Sequence, residues 1–200
     1  SEYRYRKPSV YGQSSMIVIS QSGESLDTLM ALRYAKDLGL TTNAIVNVIG
    51  STIDREADYS LHTNVGPEIG VASTKSFTSQ LIVLFLIAIS LGRKFKNLDL
   101  KKVTQYTEYL NMLPLGIAKM LQLEDKIISL AQNIKNSKSV IFLGRGYLYP
   151  LALEGALKLK ELSYIHAEGF AAGEMKHGPI ALIEDDLPVI MFLISDGYED

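Results

Sequence analysis

The stretch MIVISQSGESLDTLMALRYAKDLG, residues 16–39, holds the pattern that decides the fold. An apolar, β-branched run at residues 16–19 leads into the hydroxyl-rich segment SQSGES at residues 20–25. A helical spacing of apolar residues then continues to Leu38 and Gly39. The pattern predicts a strand, a tight loop and a helix. In this layout the N–H groups of the loop and of the first helical turn converge, and the helix dipole attracts an anion there.

The loop between this strand and helix carries Ser20, Gln21, Ser22 and Ser25, whose side chains are neutral hydrogen-bond donors. No lysine follows Gly23, so the loop is not a nucleotide P-loop. We interpret it as a cradle for a small phosphorylated ligand. The alternative is an ordinary turn with a serine N-cap, and the stretch alone does not decide between the two.

Short apolar strands and helices alternate through the rest of the first hundred residues. The pattern predicts strands at 43–48 and 59–64, a short helix at 52–57 with Ser51 as its N-cap, and a long helix at 76–91 ended by Gly92. The apolar run in that long helix is shorter than the ~20 residues of a membrane span, so we expect a buried core helix. The alternation predicts a parallel sheet covered on both faces.

The middle of the chain has a different pattern. Amphipathic helices are predicted at 99–113, 115–121 and 124–135, with Pro114 separating the first two. The α/β pattern then returns, with strands expected at 139–143 and 188–194, a helix from about 149 to 162 and a turn at 176–179. We therefore expect two α/β units joined by helices, the second of them incomplete, because two strands do not make a stable sheet.

Composition excludes several classes of protein and site. The 200 residues include 20 basic and 22 acidic side chains, a net charge of −2 that gives no electrostatic reason to expect nucleic acid or an anionic membrane as partner. Cysteine is absent, which rules out disulfides, thiolate metal sites and cysteine nucleophiles in this sequence and fits a cytoplasmic location. The first seven residues have no signal-peptide core. The start without Met and the abrupt end suggest a segment of a longer polypeptide.

A charged stripe lies on the helix predicted at 149–162, which is otherwise apolar nearly all round. Glu154, Lys158 and Glu161 are spaced at i, i+4 and i+7 and so share one face. Unpaired buried charge is costly, so this face must meet water, a partner or a pocket. One interpretation is a structural Glu154–Lys158 ion pair with no role for Glu161. The other makes Glu161 an acid/base, with Lys158 setting the charge beside it.

The three histidines differ in what their surroundings predict. His177 sits in a rigid Lys-His-Gly-Pro turn and is either a solvated loop histidine or a catalytic candidate. His62 is expected to be structural, and His166 stays open. Their spacing does not suit a metal site. The GRG at residues 144–146 is a weak dinucleotide signal without the acidic partner that NAD binding requires, so no cofactor is expected.

Six motifs together carry a close resemblance to a known family. They are SEYRYRK (1–7), SQSGES (20–25), EIGVASTK (68–75), LGRG (143–146), LEGALKLKE (153–161) and GEMKHGP (173–179). In this order and at these separations they resemble the isomerase half of the glucosamine-6-phosphate synthases (glutamine–fructose-6-phosphate aminotransferases, isomerizing). The resemblance runs from residue 1 to about 194.

That family has two tandem sugar-isomerase (SIS) domains, each a doubly wound parallel sheet. The resemblance implies a first SIS domain at residues 1–98 without its N-terminal segment, a helical connector at 99–136, and the N-terminal part of a second SIS domain at 137–200. It also implies an N-terminal glutaminase domain elsewhere in the full chain. A Gly-Thr-Ser loop before residue 1 and a lysine-bearing tail after residue 200 would complete the site.

The resemblance also assigns roles to particular residues. The sugar phosphate would be held by Ser20, Gln21, Ser22 and Ser25, the last of which is usually threonine in the family and keeps the hydroxyl here. Val71 and Ser73 would contact the sugar.

The catalytic residues implied by the resemblance come from the second half of the chain. Lys158 and Glu161 would move a proton between C1 and C2 of fructose 6-phosphate, which leads to glucosamine 6-phosphate. His177 would assist ring opening and reach the site of a neighbouring subunit, which implies a homodimer. The alternative is a non-catalytic SIS domain that senses sugar phosphates in a regulator. No basic helix-turn-helix is visible, and Glu161, Lys158 and His177 together favour the enzyme.

Overall fold

A computed structural model describes residues 2–11 and 14–194 of the chain. It divides into two compact units, Ser1–Ile69 with Ser73–Glu108, and Gly70–Ala72 with Tyr109–Asp200. Residue 1 of the first predicted domain and residues 195–200 of the last lie outside the described part. Both units contain parallel sheets with helices, which confirms the predicted α/β class.

The first unit is built on a three-stranded parallel sheet in the order β1-β2-β3. Its elements are α1 (Glu2–Tyr5), β1 (Ser15–Ser20), α2 (Leu26–Asp37), β2 (Thr41–Val46), α3 (Thr52–Glu56), β3 (Tyr59–His62) and α4 (Lys75–Lys94), and α5 (Leu100–Leu121) begins here. The central strand β2 buries Ala44, Ile45 and Val46 in succession, as a strand covered on both faces does. The core against α2 and α3 includes Val18, Leu32 and Ile53.

The second unit has a three-stranded parallel sheet in the order β5-β4-β6. Its elements are α6 (Glu124–Ile134), β4 (Ser139–Gly144), α7 (Tyr149–Ser163), β5 (His166–Ala171) and β6 (Val189–Phe192), with 3-10 turns at Gly146–Leu148, Ala172–His177 and Pro179–Leu182. The expectation of only two strands in this unit was wrong, because β5 was missed.

Strand β5 has the sequence HAEGFA, in which no apolar alternation marks a strand. It forms because it pairs along its whole length with β4, from Ser139 opposite His166 to Gly144 opposite Ala171. Small residues let α7 lie close against it. A Cβ on Gly169 would come within 2.8 Å of the backbone of Ala152, so this contact requires glycine.

Helix α4 is not the buried core helix that its apolar sequence predicts. In the structure Ser76 and Ile89 are its buried residues, whereas Phe85 and Leu86 are exposed. With 20 residues and a mean hydropathy of 1.6, it is also the one helix in the described ranges long and apolar enough to cross a membrane, by length and composition only. One such helix argues only weakly for a span. An apolar pattern reveals what a helix could bury and not what packs on it.

The end of α4 also differs from the prediction that Gly92 stops it. The helix runs to Lys94, and the left-handed residue beyond it is Lys96, with φ of 59°. Gly92 lies inside the helix because Leu98 folds back onto it, and an added Cβ would be 2.6 Å from the Leu98 Cδ1 atom. The amides of Asn97 and Leu98 donate to the Gly92 carbonyl at 2.8 and 3.0 Å.

Pro114 does not separate two helices as predicted, because α5 continues through it from Leu100 to Leu121. Proline removes one N–H and leaves the carbonyl of Leu110 without its helical donor. No residue of α5 is buried, so water can reach that carbonyl and the helix tolerates the interruption.

Replacing Pro114 with alanine should stabilise the middle of α5. Alanine restores the missing N–H, and the ~3 kcal/mol penalty of an interior proline predicts up to about 100-fold slower amide exchange around residues 110–118. Gly116→Ala, in the same helix with open space around it, is the control and should slow exchange only about fivefold. Equal effects of the two substitutions would contradict this explanation of Pro114.

Candidate functional site

The predicted phosphate loop at residues 20–25 forms a compact cluster of hydroxyls between β1 and α2, which we call the serine nest. The Oγ atoms of Ser20 and Ser25 are 3.0 Å apart. Ser20 Oγ also accepts the Gly23 amide at 3.0 Å, and Ser22 Oγ accepts the Glu24 amide at 3.1 Å. Ser20 is buried, whereas Ser25 is exposed.

The nest keeps donors available for an anion. A hydroxyl that accepts one hydrogen bond still has its own proton to donate. Between Ser20 and Ser25 one proton is shared, which leaves one from this pair and one from Ser22. Ser25 occupies the N-cap of α2 but makes no side-chain cap, so the first-turn N–H groups point at the same region.

The neighbouring β2–α3 loop holds the nest in place. The carbonyls of Gln21 and Gly23 accept the amides of Asn47 and Ile53 at 3.1 and 2.9 Å. The Glu24 carboxylate accepts the Thr52 amide at 2.7 Å, and this hydrogen bond lowers the pKa of Glu24 from its ordinary value. The nest is therefore held by residues more than twenty positions away from it in the sequence. A local sequence pattern does not reveal such contacts.

Gly23 lies directly against Ser51 and has a left-handed φ of 68°. A Cβ at this position would overlap Ser51 Oγ and come within 2.5 Å of Ser51 Cβ. Ser51 does occupy the predicted N-cap position of α3, but its side chain makes no cap. Its Oγ is buried and has no hydrogen-bond partner among the described residues. Both residues must be small for the two loops to approach.

The β2–α3 loop is itself tied down by Asp54. Its carboxylate accepts the Gly50 amide at 2.7 Å and contacts His62 Nε2 at 3.0 Å. The hydrogen bond from Gly50 is the main cause of a lowered pKa of Asp54, with smaller effects of Ser60 and His62. His62 is thus held by a local contact with Asp54.

The segment that carries Val71 and Ser73 is a projecting loop at residues 69–73. Val71 is 89% exposed, whereas Ala72 is buried. Glu68, just before the loop, reaches across it: its carboxylate accepts the Thr74 hydroxyl at 2.8 Å and the Ser76 amide at 3.0 Å. Thr74 is the N-cap residue of α4 but makes no side-chain cap, so Glu68 caps this helix instead.

These hydrogen bonds from Ser76 and Thr74 lower the pKa of Glu68 from 4.5 to about 2. A lowered pKa in the folded state adds stability that is fully present above the unfolded value and is lost as pH falls through the folded one. Glu68→Gln should therefore lower the urea midpoint at pH 7, and the gap from the parent protein should narrow between about pH 4.5 and pH 2. A gap that stays constant down to pH 2 would contradict this assignment.

The charged stripe predicted on α7 is present in the second unit. Lys158 Nζ lies 2.6 Å from Glu161 Oε2 and 3.4 Å from Glu154 Oε1. The three side chains are partly exposed. The rest of α7 is less buried than predicted: Ala152 and Ala156 face the sheet, while Leu153, Leu157 and Leu162 are exposed. The small residues let the helix lie close to β4 and β5, and these three leucines turn outward, whereas Leu159 packs against the core.

The two carboxylates act on Lys158 in opposition to its partial burial. Burial alone would lower the pKa of Lys158, but the hydrogen bond to Glu161 and the charge of Glu154 outweigh it and raise that pKa. Lys158 is therefore a cation at neutral pH, placed against a carboxylate. This arrangement can stabilise a negative charge that develops beside Glu161.

His177 ends the 3-10 turn Ala172–His177 and is exposed, and Gly178 follows it with φ of 138°. His166 begins β5 and lies 3.6 Å from Glu168. Within the described residues, no group of three or more His, Asp or Glu side chains is arranged to hold a metal ion. This exposed position is compatible with both interpretations of His177, a solvated loop histidine and a catalytic residue.

The structure brings Ser20 and Ser25 together in the first unit and Lys158 and Glu161 in the second. Sequence reasoning missed Glu68, although a carboxylate shortly before a helix start is a usable capping signal. It also missed the contact of Gly23 with Ser51, for which the sequence gives no signal.

Comparison with known proteins identifies related chains. The SIS domain family model matches residues 1–90 and 133–200. Proteins named glutamine–fructose-6-phosphate aminotransferase [isomerizing] are 51% identical over 197 residues in Chlorobaculum tepidum and 54% identical over 192 residues in Escherichia coli K12. These alignments cover 98% and 96% of this chain and 32% and 31% of the relatives. The chain thus spans about a third of their length.

A solved structure of a related protein has the same fold. The C-terminal domain of glucosamine-fructose-6-phosphate aminotransferase from Francisella tularensis superposes with a TM-score of 0.95 at 41% identity. The match covers 98% of this chain and 55% of that one.

Proposed function

Because the chain belongs to the SIS domain family, we propose that it forms the isomerase part of a glutamine–fructose-6-phosphate aminotransferase. The complete protein would convert fructose 6-phosphate and glutamine into glucosamine 6-phosphate and glutamate. The observation that carries this proposal is the 2.6 Å contact between Lys158 and Glu161, a base and a cation paired on one helix. The serine nest supplies a second, independent feature, a place for the phosphate.

In the proposed reaction the serine nest binds the phosphate and Glu161 works on the carbon skeleton. Ammonia released from glutamine replaces the C2 oxygen, which leaves as water and gives an imine at C2. Glu161 then takes the proton from C1, the electrons of that C–H bond form a C1–C2 double bond, and the C2–N π electrons move onto the nitrogen, which takes a proton from solvent and becomes an amine. The proton returns to C2 while the C1 hydroxyl loses its proton, so that a C1 aldehyde and a C2 amine result.

The neighbouring groups would support this proton transfer. Lys158 lies beside Glu161 and would stabilise the negative charge that develops on the substrate oxygens. His177, in its rigid turn, would assist the opening of the sugar ring. Val71 and Ser73 would contact the sugar between the phosphate and the reacting carbons.

We further propose that the two units are tandem SIS domains, with the first at residues 1–98, a helical connector at 99–136 and the second at 137–200. An N-terminal glutaminase domain, a homodimer and a cytoplasmic location complete the proposal. Two observations support it. The SIS family model matches residues 1–90 and 133–200 and leaves out the segment between them. The chain spans only about a third of the length of its relatives, which leaves room for a further domain in the full-length protein.

The experiment is to follow fructose 6-phosphate and ammonia or glutamine with the full-length polypeptide that carries this sequence. Formation of glucosamine 6-phosphate, and of glucose 6-phosphate without a nitrogen source, is the expected result. A protein that binds fructose 6-phosphate and forms neither product would instead be a sugar-phosphate sensor, and the proposal would fail.

A further inference from the structure

The loop at residues 69–73 lies in the connection between β3 and α4. Its flanking residues Ile69 and Ser73 belong to the first unit. Ile69 is 94% exposed and Val71 is 89% exposed. Ala72 is the one buried residue of this loop, so the exposed side chains do little to fix its shape, which depends largely on how its two ends are held.

Glu68 joins the two ends of this loop. It precedes the loop, and its carboxylate bonds residues on the far side: one oxygen accepts the Thr74 hydroxyl at 2.8 Å, and the other accepts the Ser76 amide at 3.0 Å. The same oxygen that binds the Thr74 hydroxyl receives the Thr74 amide at 3.4 Å. Both carboxylate oxygens therefore accept hydrogen bonds. Through them Glu68, on one side of the loop, is fixed to the first residues of α4 on the other side, and we call this link the closure.

We propose that Glu68 is a positioning residue for the sugar, because its carboxylate closes the base of the loop and so holds Val71 and Ser73 in place. This inference rests on the proposed function, in which those two residues contact the substrate. The hydrogen bonds of Glu68 go to Thr74 and Ser76, so the role we assign to it acts through the loop. The hydrogen bonds from Ser76 and Thr74 lower the pKa of Glu68 to about 2, so its carboxylate stays charged at neutral and mildly acidic pH.

The number of hydrogen bonds that Glu68 accepts predicts which substitution of this residue should release the loop more. Glutamine keeps one acceptor oxygen but replaces the other with an NH₂ donor, which cannot accept the second hydrogen bond. Alanine removes both. We therefore expect the loop to be partly released in Glu68→Gln and fully released in Glu68→Ala, while the serine nest stays unchanged.

The test compares steady-state kinetics of these variants in the full-length polypeptide. Contacts to the sugar that are equal in the ground and transition states appear in KM. The KM for fructose 6-phosphate should rise about tenfold in Glu68→Gln and further in Glu68→Ala, with kcat changed less than about threefold. The inhibition constant of inorganic phosphate should stay within about twofold, because phosphate alone needs only the nest.

Asp99 provides a matched control. Its carboxylate accepts the Lys102 amide at 2.7 Å at the start of α5, so Asp99→Ala also removes a carboxylate cap from a long helix in the same unit. It should leave both KM and phosphate inhibition near the parent values. Amide exchange at residues 69–73 should accelerate in the Glu68 variants and not in Asp99→Ala.

Two results would overturn the inference while the proposed function stands. In the first, the parent enzyme turns over fructose 6-phosphate and both Glu68 variants have the same KM as the parent. The other is an equal rise of KM in Asp99→Ala, which would mean general loss of helix stability. A parent protein without turnover would instead overturn the proposed function, and the substrate role of Glu68 with it.

Discussion

Replacing Glu161 with glutamine is expected to lower isomerisation of fructose 6-phosphate about 10²–10⁴-fold, the usual contribution of a general base. Glutamine has nearly the same shape but cannot take a proton from C1. Its amide can still contact Lys158, so folding should survive. The measurement is kcat for glucose 6-phosphate formation by the full-length polypeptide, with binding of the sugar phosphate measured in parallel.

Two further variants on α7 make this result specific. Lys160→Ala changes an exposed lysine next to Glu161 in sequence and should keep kcat within about twofold. Glu154→Gln removes the longer 3.4 Å contact of Lys158 and keeps the 2.6 Å contact. If Glu161→Gln retained full turnover, the stripe would be the structural Glu154–Lys158 ion pair and Glu161 would have no catalytic role.

Gly23→Ala is the second large effect we expect. The left-handed φ of 68° costs a residue with a Cβ about 1 kcal/mol or more, and overlap with Ser51 adds about 1–3 kcal/mol. To relieve the overlap the nest must move away from the β2–α3 loop. A displacement of this kind should weaken binding of fructose 6-phosphate at least about 100-fold, as measured by calorimetry.

Gly39 provides the control for backbone strain alone. It has φ of 75° and nothing within 4 Å of an added Cβ, so Gly39→Ala carries the strain without an overlap. It should leave sugar-phosphate binding unchanged. Adding Ser51→Gly to Gly23→Ala removes the overlapping atoms and should restore part of the binding. Equal binding by Gly23→Ala and Gly39→Ala would show that the contact of Gly23 with Ser51 does not shape the nest.

The parts of the fold that could be predicted are those with a strong local period. β1, β2, β3, α2 and α7 appear within a few residues of their predicted bounds, because each has its own apolar pattern and turn residues. Strand β5 has no such pattern. It forms because it pairs with β4 and because α7 packs closely on Gly169. Both are tertiary contacts, which a local sequence pattern does not show.

The sequence wrongly predicted that Gly92 ends α4 and that Pro114 separates two helices, and the two errors have the same cause. Both residues have strong intrinsic preferences, and in both places the surroundings decide the outcome. Leu98 packs where Gly92 has no side chain, so the glycine is retained inside α4. Pro114 lies in a helix without buried residues, where the vacated carbonyl can be hydrated.

The candidate site divides in the same way. The serine nest and the Glu154–Lys158–Glu161 stripe could be predicted, because a loop motif and an i, i+4, i+7 spacing are local. The supports of the nest could not, since Asn47, Thr52 and Ile53 reach it from another loop. Local patterns thus predict which side chains are presented, and long-range contacts decide how rigidly they are held.

The proposed function requires that a sugar phosphate bound by the serine nest also reach the Glu161 carboxylate. A crystal structure of the full-length polypeptide with glucosamine 6-phosphate tests this most directly. We expect the phosphate within ~3 Å of the Ser20, Ser22 and Ser25 hydroxyl groups, and C1 and C2 within reach of the Glu161 carboxylate. A sugar phosphate bound away from the nest, or bound there with the Glu161 carboxylate far from both carbons, would contradict the account.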